Sequence, residues 1–224
     1  MSTTTRSKRA SSGPSSSGGS NRLVLVLVGI AVVAFVGVVA FLSAGETSDI
    51  PTLSDVAGPV SVDGAIIPVP YPDDEGTPDA AVGLPSPVIT AIDYEDRPVT
   101  IGEPGRAQVL VFLAHWCPVC DQELPTLRNV VDAGGVPDGV DMILVTTGLD
   151  PGRPNWPPKR WLDNAGLGGV TTVRDDVGDP MMRAYGLRAY PAWAVIDAEG
   201  TVVARRQGLL PAVGVAQLLD LAAR

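Results

Sequence analysis

Apolar and polar positions follow four regimes along the chain. Residues 23–42 read LVLVLVGIAVVAFVGVVAFL, with no charge and no Asn, Gln, Ser or Thr. A helix of that length at about 1.5 Å per residue spans roughly 30 Å, the hydrocarbon thickness of a bilayer, so the run predicts a transmembrane helix. Residues 1–22 ahead of it are Ser, Thr and Gly with scattered bases and no apolar periodicity, which predicts a disordered tail. Residues 43–87 are rich in Pro and Gly, carry the acidic run Asp73-Asp74-Glu75, and read as a stalk or loosely packed extension. Within it, Ala65 to Val69 is a candidate strand for docking on the C-terminal domain.

From residue 88 the pattern becomes regular. VITAIDYEDRPVTI (88–101) is two strand-like runs around a turn at Tyr94 to Arg97. AQVLVFLA (107–114) and VDMILVTT (140–147) are continuous apolar runs, as strands buried on both faces would be. Between them a helix starts near Pro118, with Leu124, Leu127, Val130 and Val131 on its core side. A helix near Lys159 to Ala165, a strand at 170–175 and a helical turn from Pro180 to Tyr185 come next. AWAVID and TVVARR form a hairpin, and Ala212 to Ala223 is a closing amphipathic helix. This order predicts an α/β domain over 88–224, a mixed central sheet with helices on both faces.

Charge then separates the chain into two parts. The sequence has 224 residues, with 16 Lys and Arg against 25 Asp and Glu. Arg6, Lys8, Arg9 and Arg22 lie at or before residue 42, and no acid does. The positive charge therefore flanks the apolar run on its N-terminal side, which predicts a cytoplasmic N-terminus and an extracytoplasmic domain at the cell membrane. A cleaved signal peptide is the alternative. The run is longer than an ordinary signal-peptide core, however, and Leu42-Ser43-Ala44 is a poor cleavage site. The remainder is strongly acidic, which argues against nucleic acid as a partner. One histidine, His115, and two cysteines, Cys117 and Cys120, exclude a His-rich metal site, an Fe–S cluster and a multi-disulfide scaffold. No cofactor or metal is implied.

The candidate chemistry is His115-Trp116-Cys117-Pro118-Val119-Cys120, where a buried strand turns into a helix. Cys117 falls at the helix N-terminus, where free N–H groups and the macrodipole favour an anion. Cys120 lies one turn on and more buried, close enough to close a disulfide. This arrangement is a nucleophile followed by a resolving thiol. Pro118 sits where a missing N–H costs little. A static disulfide or half of a zinc site are the alternatives. Zinc lacks a fourth ligand here, and a loop this short gives a structural disulfide little to stabilise.

LVFLAHWCPVCDQELPTL resembles the active-site segment of thioredoxin-like proteins, and is most similar to the membrane-anchored, extracytoplasmic TlpA/ResA group, which includes the cytochrome c maturation (DsbE-type) thioredoxins. The resemblance covers about residues 83–224. Pro125 matches the proline that kinks the family's active-site helix. Tyr190-Pro191, before AWAVID, matches the family's cis-proline, whose backbone meets the incoming peptide. Trp116, Tyr190 and Pro191 are therefore expected to bind substrate, with Pro118 and Pro125 structural beside them. Glu123 completes C-x-x-C-x-x-E, whose glutamate tunes thiol acidity or proton transfer. Where cytosolic thioredoxins bury an Asp, Val111 stands here. Their Gly-Pro dipeptide is replaced by Pro118-Val119.

The resemblance implies a redox-active Cys117–Cys120 disulfide acting on cysteines of exported proteins, with a membrane redox partner as electron donor or re-oxidant. Both the reducing and the oxidising direction remain open. A non-catalytic thioredoxin-like binding module is the alternative. A peroxiredoxin is disfavoured, since Ala114 stands where its threonine would be. His115 reads as an exposed histidine without a role, the alternative being a protonated imidazole that further stabilises the Cys117 thiolate. The loop Asp150 to Pro158 reads as a rigid cap for the next helix, with Trp156 as a lesser candidate for a partner surface.

Overall fold

A computed structural model of the protein describes residues 27, 28, 31, 50–64, 71, 72 and 76–224. The predicted tail (1–22), all but three residues of the predicted span (23–42) and the candidate strand at 65–69 thus lie outside the described residues. Among the described residues, no helix is long and apolar enough to cross a membrane. Residues 1–49 form one unit and residues 50–224 another, and the second carries the sheet and the cysteine pair.

Its elements run α1 (Leu53–Val56), β1 (Ser61–Asp63), β2 (Val88–Asp93), β3 (Pro98–Ile101), β4 (Ala107–Leu113), α2 (Pro118–Asp132), β5 (Val140–Thr146), α3 (Pro158–Asn164), β6 (Thr172–Arg174), α4 (Pro180–Ala184), β7 (Ala192–Ile196), β8 (Val202–Gln207) and α5 (Ala212–Ala222). One eight-stranded mixed sheet has the order β1-β2-β6-β5-β4-β7-β8, with β3 paired to β2. β4 is parallel to β5, and β5 to β6, while β7 runs antiparallel to β4.

β4 is buried along its whole length, because alternate residues serve two cores. Val109, Val111 and Leu113 face a cluster with Leu124, Leu127, Trp193, Val215 and Leu218, under α2, α3 and α5. Leu110 and Phe112 face a second cluster with Ile143, Val145, Met181, Met182 and Tyr185, under α4. A strand buried on both faces has no polar phase, so the period of two disappears from its sequence. The parallel β4–β5 pair needs a crossover, which α2 supplies, so the turn from β4 into α2 falls at the sheet's edge.

The segment expected to be a loose stalk is instead partly built into this unit. β1 pairs antiparallel with β2, placing Ser61 opposite Thr90. Val56 and Ala81 are buried. Asp79 holds the fully buried Arg205 guanidinium at 2.5 and 3.0 Å. Proline and glycine report where regular structure stops, not whether the chain packs, and here buried side chains decide the matter.

Candidate active site

Cys117 is the N-cap of α2, in extended conformation, and Pro118 occupies the first turn. Both cysteines are free thiols. Cys117 retains 8% of its surface exposed and Cys120 none, so Cys117 is the thiol a substrate can reach. The thiol of Cys120 lies within hydrogen-bonding reach of Cys117, and burial pushes it well above the ordinary thiol range. Pro125 lies inside α2, where its ring removes a backbone donor.

Tyr190 and Pro191 meet Cys117 from the other side. The Tyr190–Pro191 peptide is cis, and the Cys117 Sγ donates to the Tyr190 carbonyl at 3.8 Å. Trp116 stands edge-on to Tyr190, ring centroids 5.8 Å apart at 86°. Its indole N–H donates to the Gly148 carbonyl at 2.6 Å. The exposed Arg153 guanidinium lies 4.5 Å over its ring, a cation–π contact. Trp116, Cys117, Tyr190 and Pro191 are thus brought together from the β4–α2 turn and the loop before β7.

Glu123 lies three residues beyond Cys120 and so on the same face of α2. It is fully buried. Its Oε2 accepts the Leu210 N–H at 2.9 Å, while Oε1 has no partner among the described residues. Burial therefore pushes its carboxyl above the ordinary carboxylate range.

The expectation for His115 changes, and the lesser candidate role of Trp156 falls away. His115 is fully buried, not exposed. Its Nδ1 bonds the Pro154 carbonyl at 2.6 Å and its Nε2 accepts the Asp150 N–H at 3.3 Å. That pattern fits only the neutral ring, and burial holds the imidazole below its ordinary range. His115 therefore brings no positive charge toward Cys117. Trp156 is also buried, stacked edge-on to His115 at 5.3 Å and donating to the Pro51 carbonyl at 2.6 Å. It is a wall of the 150–158 loop and no partner surface. The Trp156–Pro157 peptide is cis as well.

Sequence reasoning missed an acidic pair behind Tyr190, the buried Asp175 and the half-buried Asp179. Asp175 is fully buried. Its Oδ1 accepts N–H groups from Asp176 (2.9 Å) and Met181 (3.0 Å), and its Oδ2 faces the Thr147 hydroxyl at 2.9 Å. The same hydroxyl lies 3.0 Å from Asp179 Oδ1. One hydroxyl proton serves one carboxylate at a time. Burial first, and the nearby Asp179 charge, push Asp175 up to about 6.

A carboxyl raised by folding favours its protonated form in the folded state. Its ionisation therefore costs stability above about pH 6, on the order of 3 kcal/mol when complete, and the cost fades as pH falls toward 4. Asp175→Asn places an amide donor against Thr147 and removes that cost. The variant is expected to be about 1–2 kcal/mol more stable than wild type at pH 8, with a smaller gap at pH 5. Urea midpoints at the two pH values check this; an equal gap at both would show that Asp175 does not titrate as described.

A thioredoxin-like α/β sheet with a cysteine pair at the head of its first crossover helix defines the class. Residues 80–218, more than half of the chain, match the family model described as Redoxin, and the chain belongs to that family. The fold is shared with a thiol:disulfide interchange protein, described as a putative DsbE, from Chlorobium tepidum. That likeness has a TM-score of 0.53 and 23% identity, covering 64% of this chain and 98% of that one. StoA from Bacillus subtilis is similar at a TM-score of 0.50 and 23% identity, covering 61% and 98%. Among curated proteins, the methylamine utilization protein MauD of Methylobacillus flagellatus is 28% identical over 127 residues, 55% of this chain and 56% of that protein. The MauD of Paracoccus denitrificans is 27% identical over 127 residues, 55% and 58%. The chain spans little more than half the length of these two relatives.

Proposed function

We propose that this chain is a thiol–disulfide oxidoreductase acting on cysteines of exported polypeptides, held at the cell membrane by residues 23–42 with its redoxin domain outside the cytoplasm. The observation that carries the activity is one reachable thiol, Cys117, facing the Tyr190 carbonyl, with the buried Cys120 thiol beside it. The tether and its orientation rest on the apolar run and the bases that precede it.

In the reducing direction, the Cys117 thiolate attacks one sulfur of a target disulfide. A Cys117–target S–S bond forms, and the target's other sulfur leaves as a thiolate that takes up a proton. Cys120 then loses its proton and attacks Cys117, closing the Cys117–Cys120 disulfide and releasing the second target thiolate. Two electrons pass from the chain to the target, and a membrane redox partner must return them. The oxidising direction is the same sequence reversed, with that partner accepting electrons. Burial opposes ionisation of Cys120, so its proton needs an acceptor. The carboxylate of Glu123, on the same helix face with one oxygen unpartnered among the described residues, is suited to that role.

Trp116, Tyr190 and Pro191 form the wall against which an extended polypeptide lies. Cytochrome c maturation is the reducing version of this role, with haem-attachment cysteines as targets. The test is an assay of the full-length chain on an unfolded polypeptide with a single cysteine pair, in glutathione buffers of opposite poise. Acceleration over buffer alone is expected in at least one direction. No acceleration in either would favour the non-catalytic binding module.

A further inference from the structure

Asp179 sits at the start of α4 but does not cap it. It is the N-cap residue by position, yet its side chain makes no capping hydrogen bond. Its backbone is left-handed, at φ 59° and ψ 46°, a conformation that costs a non-glycine residue free energy. Capping is done instead by Asp175, whose Oδ1 accepts the Met181 N–H in the first turn of α4.

The carboxylate of Asp179 is turned toward the active site. Its Oδ1 accepts the Gly148 N–H at 2.7 Å and faces the Thr147 hydroxyl at 3.0 Å. Its Oδ2 accepts the Tyr190 phenol at 3.3 Å. Gly148 is in turn the residue whose carbonyl takes the Trp116 indole N–H. The phenol also packs closely on Gly148: a Cβ there would lie 2.9 Å from the Tyr190 hydroxyl, and Gly148 has φ +61°. One carboxylate therefore ties the end of β5, the Trp116 side of the site and the side chain before Pro191 into a single network. The Tyr190 backbone carbonyl is the group that faces Cys117.

We propose that Asp179 is the positioning residue of this site: by holding Tyr190 and Gly148 it fixes the Tyr190–Pro191 backbone and the Trp116 edge in the geometry that receives a substrate polypeptide. The inference rests on the thiol–disulfide exchange reading. A residue that merely starts a five-residue helix would need neither a left-handed backbone nor three partners outside that helix. The arrangement acts on binding, since Asp179 makes no contact with either sulfur.

The test uses the full-length chain and the unfolded polypeptide substrate. Asp179→Ala is expected to raise KM about ten-fold while kcat changes less than about three-fold, the signature of lost ground-state binding. Asp179→Asn keeps an oxygen for Gly148 and a polar group for Tyr190, and is expected to bring KM back to within about three-fold of wild type. Tyr190→Phe deletes only the phenol oxygen and is expected to raise KM about three-fold. A wild-type KM in Asp179→Ala would overturn the inference, as would an equal fall of kcat in all three variants. If Asp179→Ala does not fold by circular dichroism, Tyr190→Phe decides, and an unchanged KM there overturns it. An inactive wild type would instead sink the thiol–disulfide reading itself.

Discussion

Serine at position 117 is expected to reduce polypeptide thiol–disulfide exchange by on the order of 10³-fold or more, with the fold intact. Cys117 is the thiol with exposed surface, and it heads α2 beside the Tyr190 carbonyl. A hydroxyl at neutral pH offers almost no alkoxide and cannot form the mixed disulfide. The substitution changes one atom in a residue that keeps its N-cap backbone, and Oγ can still donate to the Tyr190 carbonyl. Circular dichroism and the urea midpoint should therefore match wild type. Full activity in Cys117→Ser would place the chemistry elsewhere.

Serine at position 120 should have a different and equally large effect. Cys117 can still attack, but the second displacement has no sulfur to complete it. Covalent Cys117–target disulfide is expected to accumulate toward one per protein, visible as a band that dithiothreitol removes, while turnover falls on the order of 100-fold or more. Cys120 is fully buried with a raised thiol, so the variant should not create a new reachable nucleophile. If Cys120→Ser turned over at the wild-type rate without an adduct, the resolving role would be wrong.

Much of this site is legible in the amino-acid order. The apolar run 107–114 stops two residues before Trp116, and α2 begins at Pro118, so strand, turn and helix each leave a local signal. The Tyr190-Pro191 step and Glu123 are legible through family resemblance, and the fold brings Tyr190 to Cys117 and Glu123 onto the Cys120 face. What stays hidden depends on partners far away in sequence. His115 is buried because the 150–158 loop folds over it, and nothing local reports that. Arg205, in the second strand of the predicted hairpin, is buried against Asp79 from a segment that reads as stalk. Asp179, just before the predicted helical turn at Pro180, leaves no local signal of its role. Only the tertiary structure gives the capping of α4 to Asp175 and leaves Asp179 for Tyr190. Asp121, whose carboxylate takes the Trp161 indole N–H at 2.7 Å, leaves no local signal for the same reason.

The reduction titration of Cys117 and Cys120 tests the central claim most directly. The full-length chain is equilibrated across glutathione buffers, quenched with an alkylating reagent, and its free thiols counted by mass. A single step from two thiols to none is expected, with the slope of a two-electron couple, tenfold for each roughly 30 mV. A midpoint near or below about −250 mV would assign the reducing direction, and one above about −180 mV the oxidising direction. Two thiols that titrate independently, ending as glutathione adducts with no Cys117–Cys120 disulfide at any poise, would contradict the claim.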